Sequence, residues 1–113
     1  MHELALARRI CEIAQASLPP GERVVRILVE VGALAGVVPE ALQTCFGVVS
    51  EHYAMGGALL DLRRLEAKAS CASCEAHFSV DTMWARCPGC GHSPVTVEGG
   101  RELRVKELEV DDV

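Results

Sequence analysis

The sequence predicts an α+β chain in which two helices lie on a three-stranded mixed sheet and a small cysteine-rich domain is inserted before the last strand. Three observations predict it. Segments of helical and strand periodicity alternate in the first half, two Cys-x-x-Cys pairs interrupt that pattern, and a charged strand-like segment follows them.

Residues 3–17 place Leu6, Ile10, Ile13 and Ala14 on one helical face, widened by Leu4, Ala7 and Cys11, with Arg8, Glu12 and Gln15 opposite. Pro19-Pro20-Gly21 ends that helix. Residues 24–31 then alternate as a strand, with Val25, Ile27, Val29 and Val31 on one face and Arg26 and Glu30 on the other. Gly32 to Val38 reads as a loop. Pro39 suits the first turn of a second helix, and Glu40 sits beside its positive dipole end. Leu42, Phe46, Val49 and Tyr53 recur at helical spacing until Gly56-Gly57, although Gly47 stands where a bulkier residue would tighten the packing. Residues 58–65 read as a second strand, and strand–helix–strand at this length predicts parallel strands joined by a right-handed crossover. After the cysteine segment, residues 101–110 form the last strand. Leu103 and Val105 share one parity and Leu108 and Val110 the other, which a bulge near Lys106-Glu107 reconciles. This strand is expected to rejoin the first sheet as an antiparallel neighbour. The α/β domain is then residues 1–66 and 98–113, and the inserted domain residues 67–97.

With 113 residues, half of them apolar, the chain can bury one core, removing about two-thirds of its surface. Eleven basic against sixteen acidic residues give a formal net charge of −5. That balance argues against a nucleic-acid partner, which calls for a basic patch, and the cysteine segment sets only Lys68 and Arg86 against Glu75 and Asp81. Nothing resembles a secretory signal and no apolar run reaches the length of a membrane span, so a cytoplasmic chain with six reduced cysteines and no membrane partner is expected.

Cys71/Cys74 and Cys87/Cys90 are separated by twelve residues. Two such turns brought face to face set four sulfurs at the corners of a tetrahedron, the geometry of a structural zinc, so the insert reads as a zinc-ribbon-like domain closed by four cysteines. Iron is the closest rival, because four thiolates in paired knuckles hold it equally well. A redox pair is disfavoured, since Gly91-His92-Ser93-Pro94 cannot continue as the helix that chemistry uses. In Cys87-Pro88-Gly89-Cys90-Gly91, proline fixes φ and the glycines admit the positive φ that turns N–H groups toward sulfur. His77 and His92 each follow a knuckle closely enough to sit in the second shell of the metal, with solvated imidazoles as the plainer reading. Trp84, Met83 and Phe78 are expected to form a small core for this domain. Cys11 and Cys45 read as buried small hydrophobes, and His52 as structural.

Met1-His2-Glu3 puts an imidazole within two residues of a free amine. Alone, that is an exposed histidine and a first-turn carboxylate. Together with Gly32-Ala33-Leu34, Pro39-Glu40-Ala41-Leu42, the two knuckles and the charged last strand, it makes nearly the whole chain resemble the HypA/HybF family of hydrogenase-maturation nickel metallochaperones. The resemblance implies a transient Ni²⁺ in the α/β domain, with His2 the essential ligand and the amine and nearby amide nitrogens of Met1, His2 and Glu3 completing the set. It also implies a retained Met1 and one structural Zn²⁺ on Cys71, Cys74, Cys87 and Cys90. The partners it implies are a HypB-type nickel-binding GTPase and the [NiFe]-hydrogenase large-subunit precursor, with urease maturation in some members. Ala5 stands where the family commonly has a small hydroxyl residue, so any hydrogen bond from it near the nickel is absent.

The chemistry is coherent without the name. Nickel(II) accepts a square-planar nitrogen field, and amides at a helix start have no intrahelical partner to lose. Binding displaces protons, so affinity should rise with pH through the range where an amine titrates. Copper(II) would be held more tightly on the same ligands, so selectivity must come from partners and metal supply. A zinc-ribbon interaction module would share the four cysteines and be indifferent to His2. An enzyme is not expected, since the sequence has no triad, acid/base carboxylate pair, phosphate-binding loop or open metal motif.

Overall fold

The computed structural model describes residues 3–93 and 95–112. The elements run α1 (Glu3–Ala16), β1 (Glu22–Gly32), α2 (Pro39–Val49), a 3₁₀ turn (Ser50–Tyr53), β2 (Leu59–Leu65), β3 (Ala67–Ser70), β4 (His77–Val80), β5 (Thr96–Glu98) and β6 (Leu103–Asp112). Two sheets result, ordered β2-β1-β6 and β4-β3-β5. The chain forms two compact units, one of Met1–Glu30, Val37–Arg63 and Arg104–Val113, the other of Val31–Gly36 and Arg64–Leu103.

In the first unit α1 buries Ala7, Ile10, Cys11 and Ala14, an i, i+3, i+4, i+7 stripe. That stripe is rotated from the expected centre, because Leu6 and Ile13 are only half-buried and Leu4 is exposed. The small side chains at 7, 11 and 14 let α1 approach α2 and the 3₁₀ turn, which it contacts. Proline in the first turn and Glu40 start α2 as anticipated, and Leu42, Phe46 and Val49 are buried. The helix ends sooner than its periodicity suggested. After Val49 the backbone tightens to 3₁₀, Ser50 Oγ donates to the Gly47 carbonyl at 3.5 Å, and Ala54 turns left-handed at φ 58°. The N–H groups of Ala54 and Met55 both return to the Ser50 carbonyl, satisfying the helix end. Gly47 costs no packing, since a Cβ there would face open space.

β1 is the central strand, buried on both faces from Ile27 to Gly32. Ala33, one residue past β1, donates to the carbonyl of Leu65, the last residue of β2, so these strands run parallel. Gly32 donates to Glu102 and Leu34 to Gly100, partner numbers falling as β1 numbers rise, so β6 returns antiparallel. Ion pairs continue that register. Arg104 Nε meets Glu30 Oε1 at 2.6 Å, Lys106 Nζ lies 3.6 Å from Glu30 Oε2, and Arg26 bridges Asp61 of β2 and Glu109 of β6. Arg104, foremost by its hydrogen bond, holds the Glu30 carboxyl below the usual carboxylate range. Along β6 the half-buried side chains shift parity across the exposed Lys106-Glu107 step, from Leu103 and Val105 to Leu108.

The second unit has a much smaller core. Ala67, Ala69 and Val80 are buried, with Leu34, Phe78, Ala85, Val95 and Val97 packed around them. β3 pairs antiparallel with β4, Ala67 opposite Val80 and Ser70 opposite His77, and with β5, Lys68 opposite Glu98. Gly100 lets segments within this unit pack closely. At φ +81° its missing Cβ would stand 2.6 Å from Ala67 Cβ and 3.2 Å from Leu34 Cδ1, so no larger residue fits.

Candidate metal centre

Strand β3 ends at Ser70, and the chain turns at once through Cys71–Cys74 into β4, so the first knuckle is the loop of a β-hairpin. The Cys71 N–H donates to the Ala76 carbonyl at 3.0 Å, and the Glu75 N–H returns to the Cys71 carbonyl at 2.8 Å. The second knuckle repeats the pattern: Cys87 N–H to the His92 carbonyl at 3.0 Å, Gly91 N–H to the Cys87 carbonyl at 2.8 Å. In both, the residue after the second cysteine is left-handed, Glu75 at φ 62° and Gly91 at φ 74°. Gly91 thus has the positive φ expected of it, whereas Gly89 does not and instead offers its N–H.

The turns bring four sulfurs together. Cys71 and Cys90 Sγ are 3.6 Å apart, Cys74 and Cys87 Sγ 3.5 Å, and all four lie within 4.8 Å of one another. A tetrahedral zinc with Zn–S of about 2.3 Å requires S···S of about 3.8 Å, so the cluster is sized for that ion. A disulfide needs about 2.05 Å, and the cysteines are free. The thiols cannot all ionise together unaided. N–H groups of Cys90 and, with a smaller effect, Gly89 bring Cys87 down to about 7. The Ala76 N–H acts the same way on Cys74, but hydrogen bonding with the Cys87, Cys90 and Cys71 thiols together with desolvation outweighs it, and Cys74 is pushed up to about 12. A divalent cation removes that conflict, because each thiolate then faces the ion. The four cysteines suit a structural zinc, and a closed sphere of four sulfurs leaves no position for a reacting ligand.

His77 and His92 have exposed side chains; His77 opens β4, and His92 serves the site through its backbone carbonyl. The expected zinc-domain core is corrected: Phe78 packs against it, but Met83 is 45% and Trp84 89% exposed. Those two fall on a bend after β4 whose inward residue is Ala85. Leu34 and Val97 fill the space instead, a long-range choice that spacing between the knuckles could not reveal. Cys11 is buried, which pushes its thiol pKa up, and Cys45 is half-buried.

At the other end, Met1 and His2 lie outside the described residues. Glu3 opens α1, and its Oε2 accepts the Val38 N–H at 3.1 Å, just ahead of Pro39 in α2. This tie between the two helix starts has no local sequence signal. No helix among the described residues is long and apolar enough to cross a membrane.

Comparison with known proteins adds an independent line. Residues 1–110 match a family described as "Hydrogenase/urease nickel incorporation, metallochaperone, hypA". The hydrogenase maturation factor HypA of Geotalea uraniireducens is 39% identical over 111 residues, covering 98% of this chain and 100% of the relative. That of Nostoc sp. is 36% identical over 113 residues, covering 100% and 98%. Among solved structures, the solution structure of the Ni metallochaperone HypA from Helicobacter pylori aligns with a TM-score of 0.60 at 21% identity, over 96% of this chain and 97% of that one, a likeness of fold.

Proposed function

The chain belongs to the HypA family of hydrogenase/urease nickel-incorporation metallochaperones, and from that premise we propose that it carries Ni²⁺ at its N-terminus for insertion into a [NiFe]-hydrogenase, without catalysing a reaction. The ligands in this reading are the Met1 amine, the amide nitrogens of His2 and Glu3, and the His2 imidazole. The metal passes with the help of a HypB-type GTPase to the hydrogenase large-subunit precursor in the cytoplasm. The observation that carries the reading is the family match, which runs from residue 1 through residue 110.

Local chemistry supports it. Because α1 begins at Glu3, the amide of that residue is in the first turn, where N–H groups have no intrahelical acceptor, and giving up its proton to nickel breaks no helix hydrogen bond. The Glu3 carboxylate on the Val38 N–H fixes the helix start from which the proposed chelate would extend. Cys71, Cys74, Cys87 and Cys90 would hold the resident zinc, which supplies structure to a unit with few buried side chains.

Nickel and zinc content, measured on tag-free protein beside His2→Ala and a form with two residues added before Met1, tests the proposal. One nickel beyond the zinc, lost in both variants while zinc is kept, is the expected result. Nickel binding that is absent, or that survives both changes, leaves a zinc-ribbon interaction module as the better account.

A further inference from the structure

Between β4 and the second knuckle, residues 81–86 carry the chain's single tryptophan into solvent. Trp84 is 89% exposed and Met83 45%, in a unit whose own core is starved of large side chains. The loop is nevertheless held. Val80 at one end is 8% exposed and Cys87 at the other 2%, Ala85 packs on the core, and the Trp84 N–H donates to Thr82 Oγ1 at 3.2 Å. A loop backbone held at both ends has already given up part of the conformational freedom that binding would otherwise remove.

Two arginines adjoin it, one by contact and one by sequence. Asp81, the loop's one carboxylate, lies 3.7 Å from Arg64. Arg101 donates to Met83 Sδ at 3.8 Å, which places a guanidinium against the apolar patch, and Arg86 follows Trp84 by two residues. Among the described residues neither Arg86 nor Arg101 has a carboxylate within ion-pair distance. Glu102, beside Arg101 in sequence, has one carboxylate oxygen buried. The patch therefore carries two unpaired positive charges on a chain of net charge −5. Tryptophan, methionine and arginine are the residue types that concentrate in protein–protein interfaces and supply their anchors.

We infer that Trp84 and Met83, flanked by Arg86 and Arg101, form a docking site for an acidic segment of a partner protein that presents an apolar side chain to the indole. Two cations are too few to track a phosphate backbone through the field of an acidic chain, which sets nucleic acid aside. The site needs no bound nickel, so it stands or falls independently of the N-terminal reading.

The test uses the full zinc-loaded protein and fluorescein-labelled octapeptides of Asp and Glu around a central Leu, Phe or Trp, with Lys-for-acid and Ser-for-anchor versions as controls. Binding is read by peptide anisotropy, and burial by the emission of Trp84 with the Leu peptides. The acidic Leu or Phe peptides should bind and the Leu peptide should shift that emission to the blue. Affinity should fall about tenfold or more in Trp84→Ala and in Arg86→Glu/Arg101→Glu, with zinc content unchanged. Added salt should weaken it. The inference is overturned if no acidic peptide binds, if the Lys peptides bind equally, or if the arginine variant binds undiminished. It is equally overturned if a single-stranded oligonucleotide produces the larger shift, or if the shift appears with protein concentration alone, which would assign the patch to a second copy.

Discussion

The two knuckles share one backbone design with different residues at its left-handed position, and that difference sets up a reciprocal experiment. Glu75 holds φ 62° and Gly91 φ 74°. A side chain in that conformation costs about 1–2 kcal/mol, while glycine loses about 0.4–1 kcal/mol more to unfolded-state entropy than alanine does. A Cβ added at Gly91 meets nothing within 4 Å, so Gly91→Ala carries the backbone term alone. The net is a loss of about 1 kcal/mol for Gly91→Ala and a gain of about the same for Glu75→Gly. Metal binding and folding of such a knuckle are one equilibrium, so the effect should appear in zinc affinity as a change of about fivefold in each direction. Competition against a chromogenic chelator measures it. Glu75→Gln separates charge from conformation, because it keeps the Cβ. The reasoning is refuted if Gly91→Ala leaves affinity unchanged, or if Glu75→Gln gains as much as Glu75→Gly.

Gly47 lies in α2 with open space where its Cβ would be, so Gly47→Ala should raise the denaturant midpoint by about 1 kcal/mol of stability. Gly100→Ala should lose about 2–4 kcal/mol in the same measurement, since its Cβ would stand 2.6 Å from Ala67 Cβ at φ +81°. Because Arg104 depresses the Glu30 pKa in the folded state, the stabilisation from that pair is present above the unfolded carboxylate pKa and fades as pH falls through the lowered folded value. Arg104→Ala should therefore flatten the acid side of the stability–pH profile and raise the Glu30 pKa followed by NMR titration.

What could be read in advance was what periodicity and short spacing encode. The parallel β1–β2 pair, the antiparallel return of β6 and the four-sulfur cluster follow from patterns only a few residues long. Where α2 stops is set otherwise. Val49 and Tyr53 keep the helical spacing, yet the backbone changes to 3₁₀ at Ser50 because Ala54 closes the turn left-handed, an arrangement no glycine or proline announces. The second unit's core was misjudged for a related reason. Hydrophobicity between the knuckles nominated Trp84 and Met83, but the buried cluster there is Ala67, Ala69 and Val80, and Leu34 reaches it from a loop far away in sequence. Gly32 and Gly100 permit that approach: a Cβ on Gly32 would collide with the Gly100 carbonyl. Their importance lies in a long-range crossing, which a single sequence does not display.

Glu3 offers the sharpest separation between two ways of building the proposed nickel site. If its carboxylate were a nickel donor, it would have to hold the metal while Oε2 accepts the Val38 N–H, and replacing it by an amide would cost the metal. If its amide is the donor, carboxylate and metal do not compete, and the hydrogen bond to Val38 steadies the chelate while nickel is held. Glu3→Gln keeps an oxygen acceptor of nearly the same reach but binds metal poorly through its side chain. It should therefore retain one nickel with the absorption of a square-planar nitrogen field. Glu3→Leu, which has no acceptor, should retain the stoichiometry but bind more weakly, because the helix start is no longer tied. Loss of nickel in Glu3→Gln would make the carboxylate a ligand and remove the backbone account of the site.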